Sequence, residues 1–381
     1  MRKIVVAIFF LQLSKLVTAQ QPSYSKLQLQ PEAPKAGQSI VLNYQPDMPG
    51  WKKAASIPAA VYIAIGDRIE ARDLSFKKNK SSFTTGFTIP DSATLFIVKI
   101  GSEKQIDNND NKGYSFFVMD EKGEPIKSAF RKMSQLYKSE GRSMGINEDE
   151  KKASYYFDKC YENGLPANAG YEETLNYYQT KKDTLGLINY LTDLPTKEGI
   201  NDINYSSAVF YANQYQHKPI GKLLLAYQKL KFPDGIWRTR DIYPLFNAAK
   251  TAAAKQALLD SFSATIKGEP QDWQKRVISN INSNISFMHA KEGNFARAEQ
   301  IADKTAKGTE LAEFYNNLAW PAAEKGQNLE EAAVISKKSL DILEKEKTEL
   351  LEKPAELSTA DYLKRISNME GMFADTYAYI L

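Results

Sequence analysis

The sequence predicts a chain with two structurally different parts, an all-β region followed by a longer all-α region. Three observations support this prediction. Apolar and polar residues alternate with period two up to about residue 125. From residue 126 onward, apolar residues recur three and four positions apart. The 381 residues, 43% hydrophobic and 25% charged, have ordinary globular proportions and supply enough apolar material for a core in each part.

The first residues predict an export signal. Arg2 and Lys3 give a positive start, residues 4–13 form an apolar run, and Ala19 ends a cleavage site. We therefore expect residues 1–19 to be a signal peptide cleaved after Ala19, and the mature protein to be periplasmic or secreted. The alternative is a buried first strand or helix. The run is shorter than the roughly 20 residues of a membrane span, and no transmembrane span is expected after cleavage.

Charge and composition exclude several function classes. Three of the 50 basic residues lie in the predicted signal, which leaves 47 basic against 46 acidic residues. A nucleic-acid-binding surface needs a basic excess, so no nucleic-acid partner is expected. One cysteine excludes an internal disulfide, and two histidines leave few metal ligands. We expect no catalytic residues, no cofactor and no metal in this chain.

Seven short candidate strands lie about ten residues apart, between turns rich in Pro, Gly and Asn. They are expected at residues 25–30, 39–44, 60–65, 68–76, 82–89, 94–100 and 114–119. This number and spacing predict an immunoglobulin-like β-sandwich over residues 20–125. One face of each strand should fill the core, and the core examples are Ile40, Leu42, Tyr62, Ala64, Leu95 and Ile97.

One loop of this region is similar in sequence to a calcium-binding loop. Residues 107–113 begin with Asp107, alternate oxygen-bearing side chains and end at Gly113. The glycine stands at the seventh position of the loop instead of the sixth, and no glutamate closes it at the twelfth. A hairpin turn is the favoured alternative, because Asn and Gly tolerate positive φ.

Residues 126–381 are predicted to form a tetratricopeptide-like array of helical hairpins. Asn294 and Ala298 recur 34 residues later as Asn328 and Ala332, and 34 residues is the tetratricopeptide period. The small alanines suit a close approach of two helices. The alternative is an irregular helical bundle that happens to align at this spacing.

Two further segments extend the array. Residues 218–235 are predicted as another second helix with its exit turn, and residues 373–381 as the first helix of a last, incomplete repeat. Terminal repeats need a polar outer face, so this last helix predicts an interrupted chain or a partner that completes it. The alternative is that the helix itself packs as a cap.

The remaining candidate residues favour structural roles. Cys160 lies among aromatic residues, so burial as a small apolar side chain is favoured over a reactive thiol. The two histidines lack the spacing of a metal site, and the adjacent glutamates point to different helix faces. These residues are His217, His289, Glu172, Glu173, Glu330 and Glu331.

Three stretches carry a resemblance to a known family. They are residues 105–114 (QIDNNDNKGY), 314–320 (FYNNLAW) and 371–378 (GMFADTYA). With them, essentially the whole chain resembles the region ahead of the redox domain in exported thioredoxin-family proteins of the TlpA type, common in Bacteroidetes. The resemblance implies an immunoglobulin-like domain followed by tetratricopeptide-like helices. The family's Cys-x-x-Cys domain would follow these repeats, so no catalytic residue carries over to this chain.

The sequence therefore favours an exported, non-catalytic scaffold protein that binds a protein or peptide on its helical-repeat surface. The alternative is the front region of a periplasmic thiol–disulfide oxidoreductase whose thioredoxin domain is missing. A third interpretation is a glycan-binding envelope protein, because aromatic residues make up 11% of the chain and stack on sugars. Glycan-binding lipoproteins of the SusD type, however, usually begin with a lipid-bearing cysteine and do not start with a β-sandwich.

Overall fold

The computed structural model of the protein describes residues 21–102 and 105–381, so the predicted signal peptide lies outside the described residues. The chain starts with antiparallel strands and continues with paired helices, which confirms the predicted order. It divides into two compact units. Unit 1 runs to Glu162 and also contains Lys353–Tyr362, and unit 2 contains Asn163–Glu352 and Leu363–Leu381. No helix described for this chain combines the length and apolar content that crossing a bilayer requires.

Within the described residues of unit 1, eight strands form one antiparallel sheet. They are β1 (Leu27–Gln30), β2 (Ser39–Tyr44), β3 (Ser56–Ile65), β4 (Arg68–Asn79), β5 (Ser82–Thr88), β6 (Ala93–Ser102), β7 (Gln105–Asp107) and β8 (Tyr114–Phe117). The order is β1-β2-β5-β4-β3-β6-β7, and β8 also pairs with β6. All seven predicted strands form, and β7 is the strand that the sequence does not predict.

The sheet folds over on itself. Phe87 of β5 and Phe96 of β6 have ring centroids only 5.3 Å apart, although β4 and β3 lie between these strands in the sheet. In a flat sheet, three strand spacings of about 4.8 Å would separate them. One continuous sheet thus encloses a single core between its two halves, where the sequence predicts two separate sheets.

The central strand β3 is buried on both faces, although the sequence predicts one core face per strand. Val61 and Ile63 point into the core between the halves of the sheet, whereas Tyr62 and Ala64 point into a second cluster. Two helices, α1 (Lys127–Gln135) and α2 (Glu150–Cys160), cover this second face. Among the predicted core residues, the first core takes Ile40 and Leu42, and the second takes Tyr62, Ala64, Leu95 and Ile97.

Residues 353–362, which we call the return segment, complete unit 1. β5 pairs only with residues 77–79 of β4, so the earlier residues of β4 present an exposed strand edge. The return segment takes this edge, because the Ala71 amide donates to the Ala355 carbonyl at 2.7 Å. The Thr359 amide donates to Asp73 Oδ1 at 3.0 Å. A segment more than 280 positions away in the chain therefore caps the sheet edge.

Unit 2 is helical. Its helices are α3 (Tyr171–Lys181), α4 (Thr184–Asp193), α5 (Asp202–Gln214), α6 (Lys218–Lys231), α7 (Thr239–Ala248), α8 (Ala252–Ala264), α9 (Asp272–Lys291), α10 (Phe295–Thr305), α11 (Gly308–Lys325), α12 (Leu329–Glu349) and most of α13 (Thr359–Ile380). Chain neighbours pack as pairs, including α5 with α6, α9 with α10, and α11 with α12. The segment predicted as a second helix with its exit turn forms α6 and the turn that follows it.

The 34-residue spacing corresponds to equivalent places in two successive helix pairs. Asn294 directly precedes α10, and Asn328 directly precedes α12. Ala298 and Ala332 are both fully buried, as the predicted close approach of helices requires. The caps differ, since the Asn294 side chain accepts from the Arg297 amide whereas Asn328 adopts a left-handed backbone with φ of 53°.

The last helix buries one of its faces. Phe373 and Ile380 of α13 are buried, and Ile380 joins the core that α11 and α12 share. Met372 and Tyr379 remain exposed. Residues 373–381, predicted as the first helix of a last repeat, lie at the end of this longer helix, which ends at Ile380.

Candidate functional site

The site begins at the turn between α7 and α8. The last carbonyls of a helix have no partner within the helix, and the Phe246 carbonyl belongs to the last turn of α7. The chain then turns, and the Thr251 side chain caps α8 by accepting a hydrogen bond from the Ala254 amide at 3.1 Å. This cap starts α8 so that Lys255, one turn along, reaches back to the end of α7.

Lys255 is the buried cation of this site. Its side chain is only 8% exposed, and its Nζ donates to the Phe246 carbonyl oxygen at 2.5 Å. An ammonium group has three N–H donors, so this bond uses one of them. Within the part of the chain that the structure describes, no carboxylate lies within 4.0 Å of Nζ.

A pocket of about 310 Å³ lies beside Lys255 and is lined by residues of α7, α8 and α9. We call it the Lys255 pocket. Its lining residues are Tyr243, Phe246, Asn247, Lys255, Asn280, Ile281, Ser283 and Asn284. The volume is at the lower end of the range for small-ligand sites, which is about 300–1,000 Å³.

The helix α9 supplies the polar wall of the Lys255 pocket. Asn280 and Asn284 are four residues apart, so they lie one above the other on the same face of the helix. The Asn280 side-chain amide donates to Tyr243 Oη of α7 at 3.2 Å, and the Asn284 amide donates to the Asn280 carbonyl at 3.1 Å. Phe246 and Ile281, 4% and 3% exposed, provide apolar surface. The wall therefore combines amide, hydroxyl and apolar groups.

The electrostatic character of the Lys255 pocket is positive. Of the eight described residues that line it, Lys255 alone carries a charge. Tyr243 Oη accepts the bond from Asn280, which leaves its own proton for a ligand acceptor. An ammonium group, a phenol and two amides around apolar surface form an arrangement suited to binding and orienting a polar or anionic group.

The loop at residues 107–113, which is similar in sequence to a calcium-binding loop, uses its first acidic residue in hydrogen bonds within the protein. Asp107 is buried, and its carboxylate accepts hydrogen bonds from Tyr44 Oη at 2.6 Å and from Tyr114 Oη at 2.9 Å. Burial, followed by the contact with Asp107, raises the pKa of both tyrosines. The side-chain amide of Asn109 donates a hydrogen bond to the Gly113 carbonyl at 3.1 Å. Both carboxylate oxygens of Asp107 and the Gly113 carbonyl thus accept hydrogen bonds within the protein.

The same loop also differs from the predicted hairpin turn. Both β7 and β8 pair with β6, so residues 108–113 are an excursion that interrupts one strand line. Asn109, Asp110 and Asn111 have φ of 56°, 55° and 63°, which the predicted tolerance of Asn for positive φ explains. The excursion packs against the turn after α1, where the Asn147 amide donates to the Asn111 carbonyl.

The other candidate residues from the sequence lie in helices or next to helix ends. Cys160 is the last residue of α2 and is partly buried against the second core cluster. His217 directly precedes α6, and His289 Nδ1 lies 3.9 Å from Glu292 Oε2. The adjacent glutamates occupy the first turns of α3 and α12, where the helix dipole favours negative charge. No three His, Cys, Asp or Glu side chains of the described residues cluster as a metal site would require.

Sequence reasoning did not find the Lys255 pocket. The available signals were a lysine inside an alanine-rich helix, AAAKQALL, and asparagines four residues apart in SNINSNIS. Neither signal shows that α7 places a phenol and an open carbonyl opposite these side chains. A comparison with models of known protein families finds no match, and a comparison with curated proteins finds no similar sequence.

Proposed function

We propose that this protein is an exported, non-catalytic binding protein that holds a protein or peptide partner on its paired helices. The observation that carries the proposal is the Lys255 pocket, which brings a buried cation, a phenol and two amides together beside apolar side chains. Such a mixture gives affinity through the apolar contacts and specificity through the polar groups.

Exposed apolar side chains on a neighbouring helix pair support the proposal. Ile203 and Phe210 are exposed on α5, seven residues apart and therefore on one side of that helix. The residues exposed on α6 are Leu223, Tyr227 and Leu230, which also follow helical spacing. Grouped exposed apolar residues are typical of interaction surfaces.

The proposal assigns each region a role. The β region is proposed as a spacer or docking module, and the helix pairs as tetratricopeptide-like units that carry the binding surface. Two successive helix pairs with a 34-residue offset support the second assignment. The order of charge, apolar run and cleavage site in residues 1–19 supports export.

Quantitative partner capture tests the proposal. The wild-type secreted protein and a Tyr243→Ala/Asn284→Ala variant are immobilised and exposed to the envelope proteins of the cells that make the protein. A Tyr155→Ala variant, changed at an exposed position of α2, is the matched control. We expect a partner that wild type and control retain and the pocket variant loses. Equal capture by all three proteins, or none by any, would contradict the proposal.

The resemblance to exported thioredoxin-family proteins favours a second candidate, the front region of a thiol–disulfide oxidoreductase. Two of the stretches that carry it are parts of helices, residues 314–320 in α11 and 371–378 in α13. Sequencing the genomic DNA beyond the codon for Leu381 tests this candidate. A reading frame that continues into a Cys-x-x-Cys domain would support it, and an unrelated sequence would contradict it.

A further inference from the structure

We infer that the ligand group held in the Lys255 pocket is a carboxylate. The first reason is the charge of Lys255. Transfer of an ammonium group from water into a protein interior is unfavourable unless a counter-charge and hydrogen bonds compensate it. The one hydrogen bond to Phe246 O, at 2.5 Å, supplies a dipole and no opposite charge. A bound anion would supply the missing charge and accept the remaining N–H bonds.

The second reason is the chemistry of the groups around the ammonium. A carboxylate has two oxygens that accept several hydrogen bonds. Lys255 Nζ and Tyr243 Oη are donors beside one pocket, and the asparagine amides lie next to them. The apolar surface of Phe246 and Ile281 suits the carbon chain to which a carboxylate is attached.

The third reason distinguishes a carboxylate from a phosphate. Among the described lining residues there is one cation, whereas a dianionic phosphate is usually held by several donors with positive charge. The Phe246 carbonyl that accepts from Nζ lies at the C-terminal end of α7, which is the negative end of the helix dipole and disfavours a second negative charge. A single negative charge balances this site, and a double charge exceeds it.

The carboxylate has two possible sources, an acidic residue or chain end of a partner, or a small free organic acid. The first source rests on the proposed function, and the second does not. The pocket volume of about 310 Å³ accommodates either one amino-acid side chain or a short dicarboxylic acid. An experiment with separate probes for the two sources distinguishes them.

The experiment uses the full secreted protein with ¹⁵N-labelled asparagine, and follows the side-chain amide signals of Asn280 and Asn284. Three probes are titrated at constant ionic strength: acetyl-Ala-Ala-Glu-amide, the neutral isostere acetyl-Ala-Ala-Gln-amide, and glutarate. We expect the glutamate peptide to shift both signals with saturation. The glutamine peptide should bind about tenfold more weakly, as expected for loss of one charge-assisted hydrogen bond.

Two variants test the role of Lys255. Lys255→Met should remove the preference for the glutamate peptide. Lys267→Met, at an exposed lysine that does not line the pocket, should leave it unchanged. Because Lys255→Met removes a buried group and has its own effect on folding, Tyr243→Phe provides a milder change. Loss of this one neutral hydroxyl donor should weaken glutamate-peptide binding about fivefold.

Each outcome of the titrations supports or overturns the carboxylate inference. Equal binding of the two peptides, persistence of the preference in Lys255→Met, or no binding of any probe would overturn the carboxylate inference. Binding of glutarate without the glutamate peptide would support it with a free acid as the ligand, and would count against a peptide partner in this pocket. If the wild-type protein captures a partner but binds the glutamate and glutamine peptides equally, the proposed function stands and this inference alone is refuted.

Discussion

Asp361 is predicted to hold the return segment on the sheet, and Asp361→Asn should release it. The Asp361 carboxylate accepts hydrogen bonds from Lys99 Nζ at 2.5 Å, from Ser358 Oγ at 2.7 Å and from the Tyr62 hydroxyl. The side chains of Lys99 and Asp361 are only 13% and 21% exposed. The substitution keeps the volume of the side chain and removes its charge, so Lys99 would remain largely buried without a counter-ion.

The magnitude follows from this burial. Removal of one partner of a buried ion pair destabilises proteins by about 3–5 kcal/mol, and the partial exposure of this pair favours the lower end, about 3 kcal/mol. The free energy needed to open the return segment should fall by the same amount. Since every 1.4 kcal/mol is a factor of ten, about 3 kcal/mol corresponds to roughly 100-fold more frequent opening.

Hydrogen exchange at the Ala71 amide measures this opening. That amide donates to the Ala355 carbonyl, so it exchanges with solvent when the return segment leaves the strand edge. We expect roughly 100-fold faster exchange in Asp361→Asn. Asp375→Asn, at an exposed position of the same helix, is the matched control and should exchange like wild type. Unchanged exchange in Asp361→Asn would refute the argument that this carboxylate holds the segment.

A double variant separates the lost pair from other effects of the substitution. Replacing both charges of a buried pair is often nearly neutral, because neither charge is then left without its partner. Asp361→Asn/Lys99→Met should therefore exchange more slowly at Ala71 than Asp361→Asn alone. Faster exchange in the double variant would contradict the assignment of the effect to the uncompensated Lys99 charge.

Four further predictions concern acid stability, helix packing, the strand excursion and the buried carboxylate of the β region. Burial alone would raise the pKa of Asp361, but the hydrogen bonds from Lys99, Tyr62 and Ser358 outweigh it and lower the pKa. The contribution of Asp361 to holding the return segment should therefore be lost below about pH 4. Hydrogen exchange at the Ala71 amide, followed against pH, measures this loss. Ala298→Leu should destabilise unit 2 by about 1–3 kcal/mol in denaturant unfolding, since this position is fully buried. Gly113→Ala should lower the melting temperature, because φ is 73° and the new Cβ would lie 2.5 Å from Ile146 Cγ1. Asp107→Asn should destabilise unit 1 by about 2 kcal/mol in urea unfolding, through weaker acceptance of two tyrosine hydrogen bonds.

Exposed neighbours serve as controls for these four predictions. Asp361→Asn should show a flatter dependence of Ala71 exchange on pH than wild type, and an identical profile would contradict the assignment. Ala296→Leu is the control for Ala298→Leu, and Gly123→Ala for Gly113→Ala, because a Cβ at Gly123 meets nothing within 4 Å. Asp110→Asn is the control for Asp107→Asn. Equal effects within any of these pairs would refute the corresponding contact argument.

The strands were predictable from the sequence because their signals are local. Alternation and turn residues predict a strand at residues 39–44, and β2 has the same bounds in the structure. The burial of Tyr62 and Ala64 was also predictable, but the cluster that they join was not. Their face is covered by helices that follow later in the chain, and period-two patterning carries no information on what covers a face.

The return segment and the Lys255 pocket were not predictable, because long-range packing creates them. Asp361 and Tyr62 lie 299 residues apart, and no local pattern pairs them. Lys255 in the sequence is typical of an exposed helix position, and its burial depends on the end of α7. The 34-residue spacing predicted the burial of Ala298 and Ala332, because these alanines occupy equivalent positions in two successive helix pairs.

Photo-crosslinking from the rim of the Lys255 pocket tests whether the paired helices hold a protein partner there. Asn247→p-benzoylphenylalanine, at an exposed lining residue of α7, is produced in the cells that make the protein. A control carries the same group at Tyr155, which is exposed on α2. The proposed function predicts a specific adduct from position 247 that the control does not form. Added wild-type protein should reduce this adduct more than added Lys255→Met protein does. No adduct from position 247, or the same adducts from both positions, would contradict the proposed function.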